Sequence, residues 1–141
     1  MNDLVIRRVD EVDDVIGEFL NKEFSEYGKK NEVALNYDEF CFVAEGADGE
    51  LEGVITGRAY YNEVHIGDLI VAEKCRGTGL GSKLVTTVEE YYENKGYNIV
   101  TLTTFGFQAP LFYQKLGFTI EFVRENEDKK LSKYFLMKRI G

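Results

Sequence analysis

The sequence predicts an α+β fold: one mixed, mostly antiparallel sheet with helices on both faces. Three observations carry that expectation. Strand-like and amphipathic segments follow the order strand, helix, three strands, helix, strand, helix, two strands. Two of the strand pairs are joined by short links suited to antiparallel hairpins. Between them, an apolar strand runs through a glycine-rich turn straight into an amphipathic helix, from Asp68 to Val85. With 141 residues and 44% hydrophobic content, one domain over residues 1–141 with one core is expected.

Each element has a local reason. Residues 4–9, Leu-Val-Ile-Arg-Arg-Val, read as a first strand. Val12, Ile16, Leu20 and Phe24 then recur every four residues, the apolar stripe of a helix that ends near Gly28 and turns that stripe to the core. Residues 29–39 show no period and receive no assignment. Residues 40–45 and 51–56 flank Gly46-Ala47-Asp48-Gly49, a hairpin turn. A turn near Tyr61-Asn62 leads into a strand over residues 63–71, in which Gly67 marks a candidate bulge. A helix from residue 81 to about 95, a strand over 99–104 and a short helix opened by Pro110 follow. Residues 118–124 and 133–138 close the chain as a hairpin across a charged surface loop.

Composition narrows the function classes. A formal charge of −8 argues against nucleic acid, whose binding surfaces gather Lys and Arg, and suits a basic substrate better. The acidic cluster Asp10, Glu11, Asp13, Asp14 and Glu18 reads as a solvated helix face. Against this background Lys74, Arg76 and Lys83 form a local basic island. Cys41, Cys75 and the single histidine, His65, give neither a disulfide framework nor zinc-ligand spacing, so no metal is expected. No apolar run reaches the roughly twenty residues of a membrane span, and the N-terminus lacks a signal-peptide pattern; a cytoplasmic protein with no membrane partner is expected.

The glycine-rich turn is the strongest signal. A helix start offers about four N–H groups without intrahelical partners and a partial positive charge, and both stabilise an anion such as a pyrophosphate. Gly77, Gly79 and Gly81 let the backbone approach it, with Arg76 and Lys83 at either end of the loop. A Walker A loop counted from Gly77 would need glycine where Ser82 stands. A dinucleotide fingerprint needs the same glycine and an acidic residue closing the next strand, and residues 99–104 end without one. What remains is Arg-x-x-Gly-x-Gly after a Leu-x-Val strand, and this resembles the acetyl-CoA pyrophosphate loop of the GNAT superfamily of N-acetyltransferases. The segment Gln108-Ala109-Pro110-Leu111-Phe112-Tyr113-Gln114-Lys115-Leu116-Gly117-Phe118 resembles the short helix and following strand near the C-terminus of the same enzymes. The resemblance covers residues 64–138.

That resemblance implies a small single-domain member of the family, with a six- to seven-stranded sheet flanked by about four helices. Two central strands, here 63–71 and 99–104, are expected to splay and admit the thioester arm of acetyl-CoA. The backbone of Leu69, Ile70 and Val71 would bond the pantetheine amides, and Arg76, Gly77, Thr78, Gly79, Leu80, Gly81 and Ser82 would surround the pyrophosphate. Tyr113 matches the family's general acid, a role its place in the motif favours over merely packing the short helix. The base position, a carboxylate in better-studied members, is His65 here, with Glu63 and Asp68 as runners-up; a strand histidine with one satisfied hydrogen bond is the competing reading. Where the family often carries Asn in contact with the cofactor arm, this chain has Gly106, and Gln108 stands close enough to substitute or else to cap the helix.

The implied activity is acetyl transfer from acetyl-CoA to the primary amine of a small molecule, by direct attack in a ternary complex. Acetylation of a protein amine, a non-catalytic acyl-CoA-binding or sensing module, and a nucleotide-binding protein are the alternatives. The final strands are the expected place for a homodimer contact.

Overall fold

A computed structural model describes residues 4–141. The chain divides into two compact units, one ending at Leu35 and one spanning Asn36–Gly141.

The first unit holds helix α1, Asp14–Lys30. Asp13 caps it, its Oδ1 accepting the Ile16 N–H at 2.9 Å, and Asp14 at the start with Lys29 and Lys30 at the end complement the helix dipole. The helix runs two residues past the expected stop before the Val33 N–H folds back onto the Gly28 carbonyl at 2.8 Å. No residue of α1 is buried, so the stripe does not build a core within this unit. The expected first strand is also corrected: residues 4–9 form no strand. A local apolar run shows only that a segment suits a strand, whereas the ladder itself needs a partner edge, which is a tertiary property.

The second unit is a six-stranded sheet in the order β1-β2-β3-β4-β6-β5. Its strands are β1 Asp38–Glu45, β2 Leu51–Tyr60, β3 Glu63–Val71, β4 Ile99–Phe105, β5 Thr119–Arg124 and β6 Lys133–Arg139. All neighbours are antiparallel except β3 and β4. Helix α2, Leu80–Tyr92, makes the crossover that this parallel pair requires, and α3, Pro110–Lys115, follows β4. Among the described residues, three α-helices and two 3-10 turns stand where about four helices were expected.

The core lies between the sheet and α2. Leu84, Val85, Val88 and Tyr92 of α2 are buried with Ile55 and Ala59 of β2, Val64 and Ile66 of β3, Val100 and Leu102 of β4, and Leu136 of β6. Burying each aliphatic side chain of this kind is worth about 1.5–3 kcal/mol. Helix α3 joins the same layer, since a Cβ on Gly81 of α2 would meet the Phe112 ring at 3.1 Å. Glycine at 81 thus serves the close approach of two helices. In the alternating strands, the intervening residues of β3 and β4 point to the opposite face of the sheet.

Candidate functional site: a forked sheet with a phosphate loop

The parallel pairing of β3 with β4 is short. It joins Glu63 to Ile99, Val64 to Val100 and His65 to Thr101, and there it stops. Beyond it β3 runs on to Val71 paired only with β2, and β4 runs on to Phe105 paired only with β6, so the sheet opens as a fork. The cause sits in β3. Thr56 pairs with Asp68 and Gly57 with Ile66, which leaves Gly67 without a partner in β2 as a β-bulge. A bulge bends its strand and sharpens the twist, and this one falls two residues past the last β3–β4 pair.

The bulge also sorts the side chains. Val64 and Ile66 are buried before it, and Leu69 and Val71 pack on the same core after it. Glu63, His65 and Asp68 consequently share the other face, although their numbers mix odd and even. Because the Ala72 N–H bonds the Glu52 carbonyl at 2.8 Å, alternation turns the backbone groups of Ile70 toward β2 and those of Leu69 and Val71 into the fork. Of the three expected backbone partners for an extended ligand, two face the opening.

At the mouth of the fork, β3 leads through a 3-10 turn, Glu73–Cys75, into the loop before α2. Gly77 and Gly79 have φ of 78° and 87°, a region costly for residues with a Cβ. Nothing lies within 4 Å of the Cβ position of either, so the loop presents open backbone. Gly79 is the N-cap of α2 and supplies no side-chain cap, which leaves the amides of Leu80, Gly81 and Ser82 without a partner among the described residues. Arg76 anchors the loop by donating from Nε to the Val71 carbonyl at 3.2 Å, and Thr78 Oγ1 donates to the Cys75 carbonyl. Lys74 is turned away into an exposed ion pair with Glu50 at 3.2 Å, so the basic island reduces to Arg76 and Lys83. A dianionic pyrophosphate matches this cradle: free amides, a helix start and no side chain across it.

Tyr113 of α3 is buried on the helix-covered side, with its ring edge-on to Phe112 and Phe118 at centroid distances of 5.1 and 5.8 Å. No side-chain hydrogen bond contributes to the state of its hydroxyl, which burial alone perturbs. Burial pushes the phenol up to about 12, which keeps it protonated throughout the neutral range.

On the opposite face stands a polar chain that sequence reasoning only half found. His65 Nδ1 is 2.9 Å from Thr101 Oγ1, and Thr101 Oγ1 donates to Glu63 Oε2 at 2.6 Å. Tyr60 Oη donates to the same carboxylate at 3.5 Å. Burial lowers the half-buried imidazole below its ordinary 6.5, and Arg58 and Lys133 act in the same direction against the opposing pull of Glu63. Asp68 is engaged apart from this chain, accepting from Thr56 Oγ1 at 3.1 Å. Thr101 and Arg58 were not among the expected residues. Their relevance lies in strand register, since Arg58 is the β2 partner of His65 and Thr101 its β4 partner.

Two further positions resolve plainly. A Cβ on Gly106 would lie 2.3 Å from the Lys129 carbonyl, and the Gly106 N–H donates to the Ser132 carbonyl at 2.8 Å. The backbone of the 129–132 turn occupies the space that a side chain at 106 would need. Gln108 Oε1 accepts the Phe105 N–H at 2.9 Å and so ties off the end of β4. It does not cap α3, whose N-cap is Ala109 without a side-chain bond.

Comparison with known proteins places the chain in a family. The model of the Acetyltransferase (GNAT) family matches residues 9–118. The chain belongs to this acetyltransferase family. An uncharacterized N-acetyltransferase of Methanocaldococcus jannaschii is 32% identical over 98 residues, covering 67% of this chain and 58% of that protein. Blasticidin-S acetyltransferase of Streptomyces morookaense is 35% identical over 82 residues, 57% of this chain and 60% of the enzyme. The chain thus spans about three-fifths of the length of these curated relatives. Among solved structures, an acetyltransferase from Bacillus cereus superposes with a TM-score of 0.75 at 31% identity, covering 94% of this chain and 97% of the other. The fork, the loop before α2 and the α3 tyrosine are therefore the candidate site of this family member. No helix among the described residues is long and apolar enough to cross a membrane.

Proposed function

We propose that this GNAT chain transfers the acetyl group of acetyl-CoA to the primary amine of a small molecule, by direct attack within a ternary complex. The observation that carries the reading is the fork. It opens a gap between β3 and β4 whose one end meets free loop amides and whose vertex holds His65. The relative named as a blasticidin-S acetyltransferase supports the acceptor class. The family match spans both units of the chain, which supports reading residues 1–141 as one functional domain.

Acetyl-CoA supplies an acetyl thioester, with a thiolate as its leaving group. The amides of residues 77–82 and the Arg76 guanidinium bind its pyrophosphate, and the backbone of Leu69 and Val71 aligns its amide-bearing arm. His65 Nε2 takes the proton of the attacking nitrogen. With a pKa below 6.5 it is a weak base toward a free ammonium of about 10.4, so it acts as the C–N bond forms and that nitrogen acidifies. Tyr113 holds its proton for the leaving sulfur. At a pKa of about 12 the phenol works as a hydrogen-bond donor to developing thiolate charge more than as a strong acid. Glu63 and Asp68 face the same side as His65 and are the second choices for the base.

The test is acetyl-CoA turnover against a panel of small amines, read by thiol release. Turnover that Tyr113→Phe and His65→Ala both depress supports the reading. Acetyl-CoA binding without turnover on any amine, with both variants indistinguishable from the parent, would make the chain a sensing module.

A further inference from the structure

We propose that Thr101 and Glu63 are positioning residues that fix His65 as its Nδ1–H tautomer and leave Nε2 as the ring's proton acceptor. Counting protons fixes the tautomer. A threonine hydroxyl has one proton to give and lone pairs to receive, while a carboxylate only accepts. Thr101 Oγ1 lies 2.6 Å from Glu63 Oε2, so its proton is committed to Glu63. The same oxygen lies 2.9 Å from His65 Nδ1, and with its proton spent it must accept there. Nδ1 therefore carries the imidazole proton, and Nε2 is the acceptor. The reverse tautomer would require a protonated Glu63 to donate to Thr101.

The backbone holds the chain of bonds in place. His65 and Thr101 are the last cross-strand pair before the fork opens, so neither side chain depends on a loop. Glu63 lies two residues earlier on the same face of β3. When Nε2 gains a proton, the resulting imidazolium meets Glu63 through one hydroxyl, against Arg58 on β2 and Lys133 on β6, which oppose it. A base held this way keeps one geometry and one reactive nitrogen, and the partner on its other nitrogen sets both. The catalytic consequence rests on the reading of His65 as base; the tautomer does not.

His65 is the only histidine in the chain, so a 15N-labelled, tag-free protein gives one set of imidazole signals. A long-range 1H–15N correlation at pH 8 on the free protein is expected to show a protonated Nδ1 and an unprotonated Nε2. Thr101→Val is expected to abolish that preference and lower kcat by roughly 10- to 100-fold at unchanged KM for acetyl-CoA, the usual cost of losing an orienting partner. Thr101→Ser restores both. Glu63→Gln removes the negative charge and moves the acid limb of kcat to lower pH. A protonated Nε2 in the parent, or an Nδ1–H signal untouched by both Thr101→Val and Glu63→Gln, overturns the proposal. Full turnover by His65→Gln, with the Nδ1–H tautomer present in the parent, instead defeats the assignment of His65 as base.

Discussion

The two faces of β3 are built by different rules. On the helix-covered face Val64, Ile66, Leu69 and Val71 fill space against α2, and tolerance there is a matter of volume. On the other face Glu63, His65 and Asp68 are held by hydrogen bonds to Thr101 and Thr56, and tolerance is a matter of protons and lone pairs. The acid candidate, Tyr113, belongs to the first face and the base candidate to the second. Under the proposed function, a ligand lying in the fork would meet Tyr113 from the packed side and His65 from the polar side. One unpaired glycine, Gly67, lies two residues past the last β3–β4 pair, where the fork opens.

Replacing the two proton carriers tests this division most strongly. His65→Ala is expected to lower kcat/KM by about 10³-fold and Tyr113→Phe by about 10²-fold, within the range for general acid–base groups, with acetyl-CoA affinity unchanged in both. Steady-state kinetics beside calorimetric titration check it. Loss of acetyl-CoA binding in either variant would place that residue in the cradle instead.

Deleting Gly67 is the next largest. Removal of the extra residue keeps the alternation of β3 but straightens the strand, so the fold should persist while acetyl-CoA binding weakens by at least roughly 10-fold. Circular dichroism and titration separate the two effects. Gly67→Ala is the control: its Cβ would meet nothing closer than 3.6 Å, and stability should stay within about 1 kcal/mol of the parent.

A smaller effect is expected at the loop. Gly79→Ala forces a Cβ into φ 87°, a cost of about 1–2 kcal/mol, and roughly a tenfold loss of coenzyme A affinity follows if the strain is relieved by distorting the cradle. The KM for the amine should not change, because the loop lies at the other end of the ligand.

The smallest effect is in pH. His65 titrates below 6.5 in the folded protein, so the unfolded chain takes its proton first as pH falls. Its share of stability is complete above 6.5 and is lost as pH drops through the lowered value, and kcat should show an acid limb in that same range. Tyr113, at about 12, contributes no alkaline limb at ordinary assay pH. His65→Gln should remove the acid limb of stability in thermal melts.

How much of this is written in the chain itself depends on distance along it. The strand over residues 63–71, the loop after it and the helix start within a residue of the expected place are all local, because glycine and β-branched residues act on their own backbone. Gly67 was readable as a bulge for the same reason. The partners of His65 were not readable, since Thr101 is 36 positions away and meets it only through the register of a parallel pair. The insertion of β6 between β4 and β5 is likewise a matter of pairing. Gly106 looked like a missing contact; in the structure it is the glycine that the 129–132 turn demands. Residues 4–9 failed as a strand because an apolar pattern does not supply a neighbour.

The most direct test of the two-sided site is a crystal structure of the chain with coenzyme A. The account predicts pyrophosphate oxygens on the amides of residues 77–82, the arm between β3 and β4, and the sulfur at the fork with the Tyr113 hydroxyl on one side and His65 Nε2 on the other. Coenzyme A bound elsewhere, or a fork closed by continued β3–β4 pairing past His65 and Thr101, would contradict it.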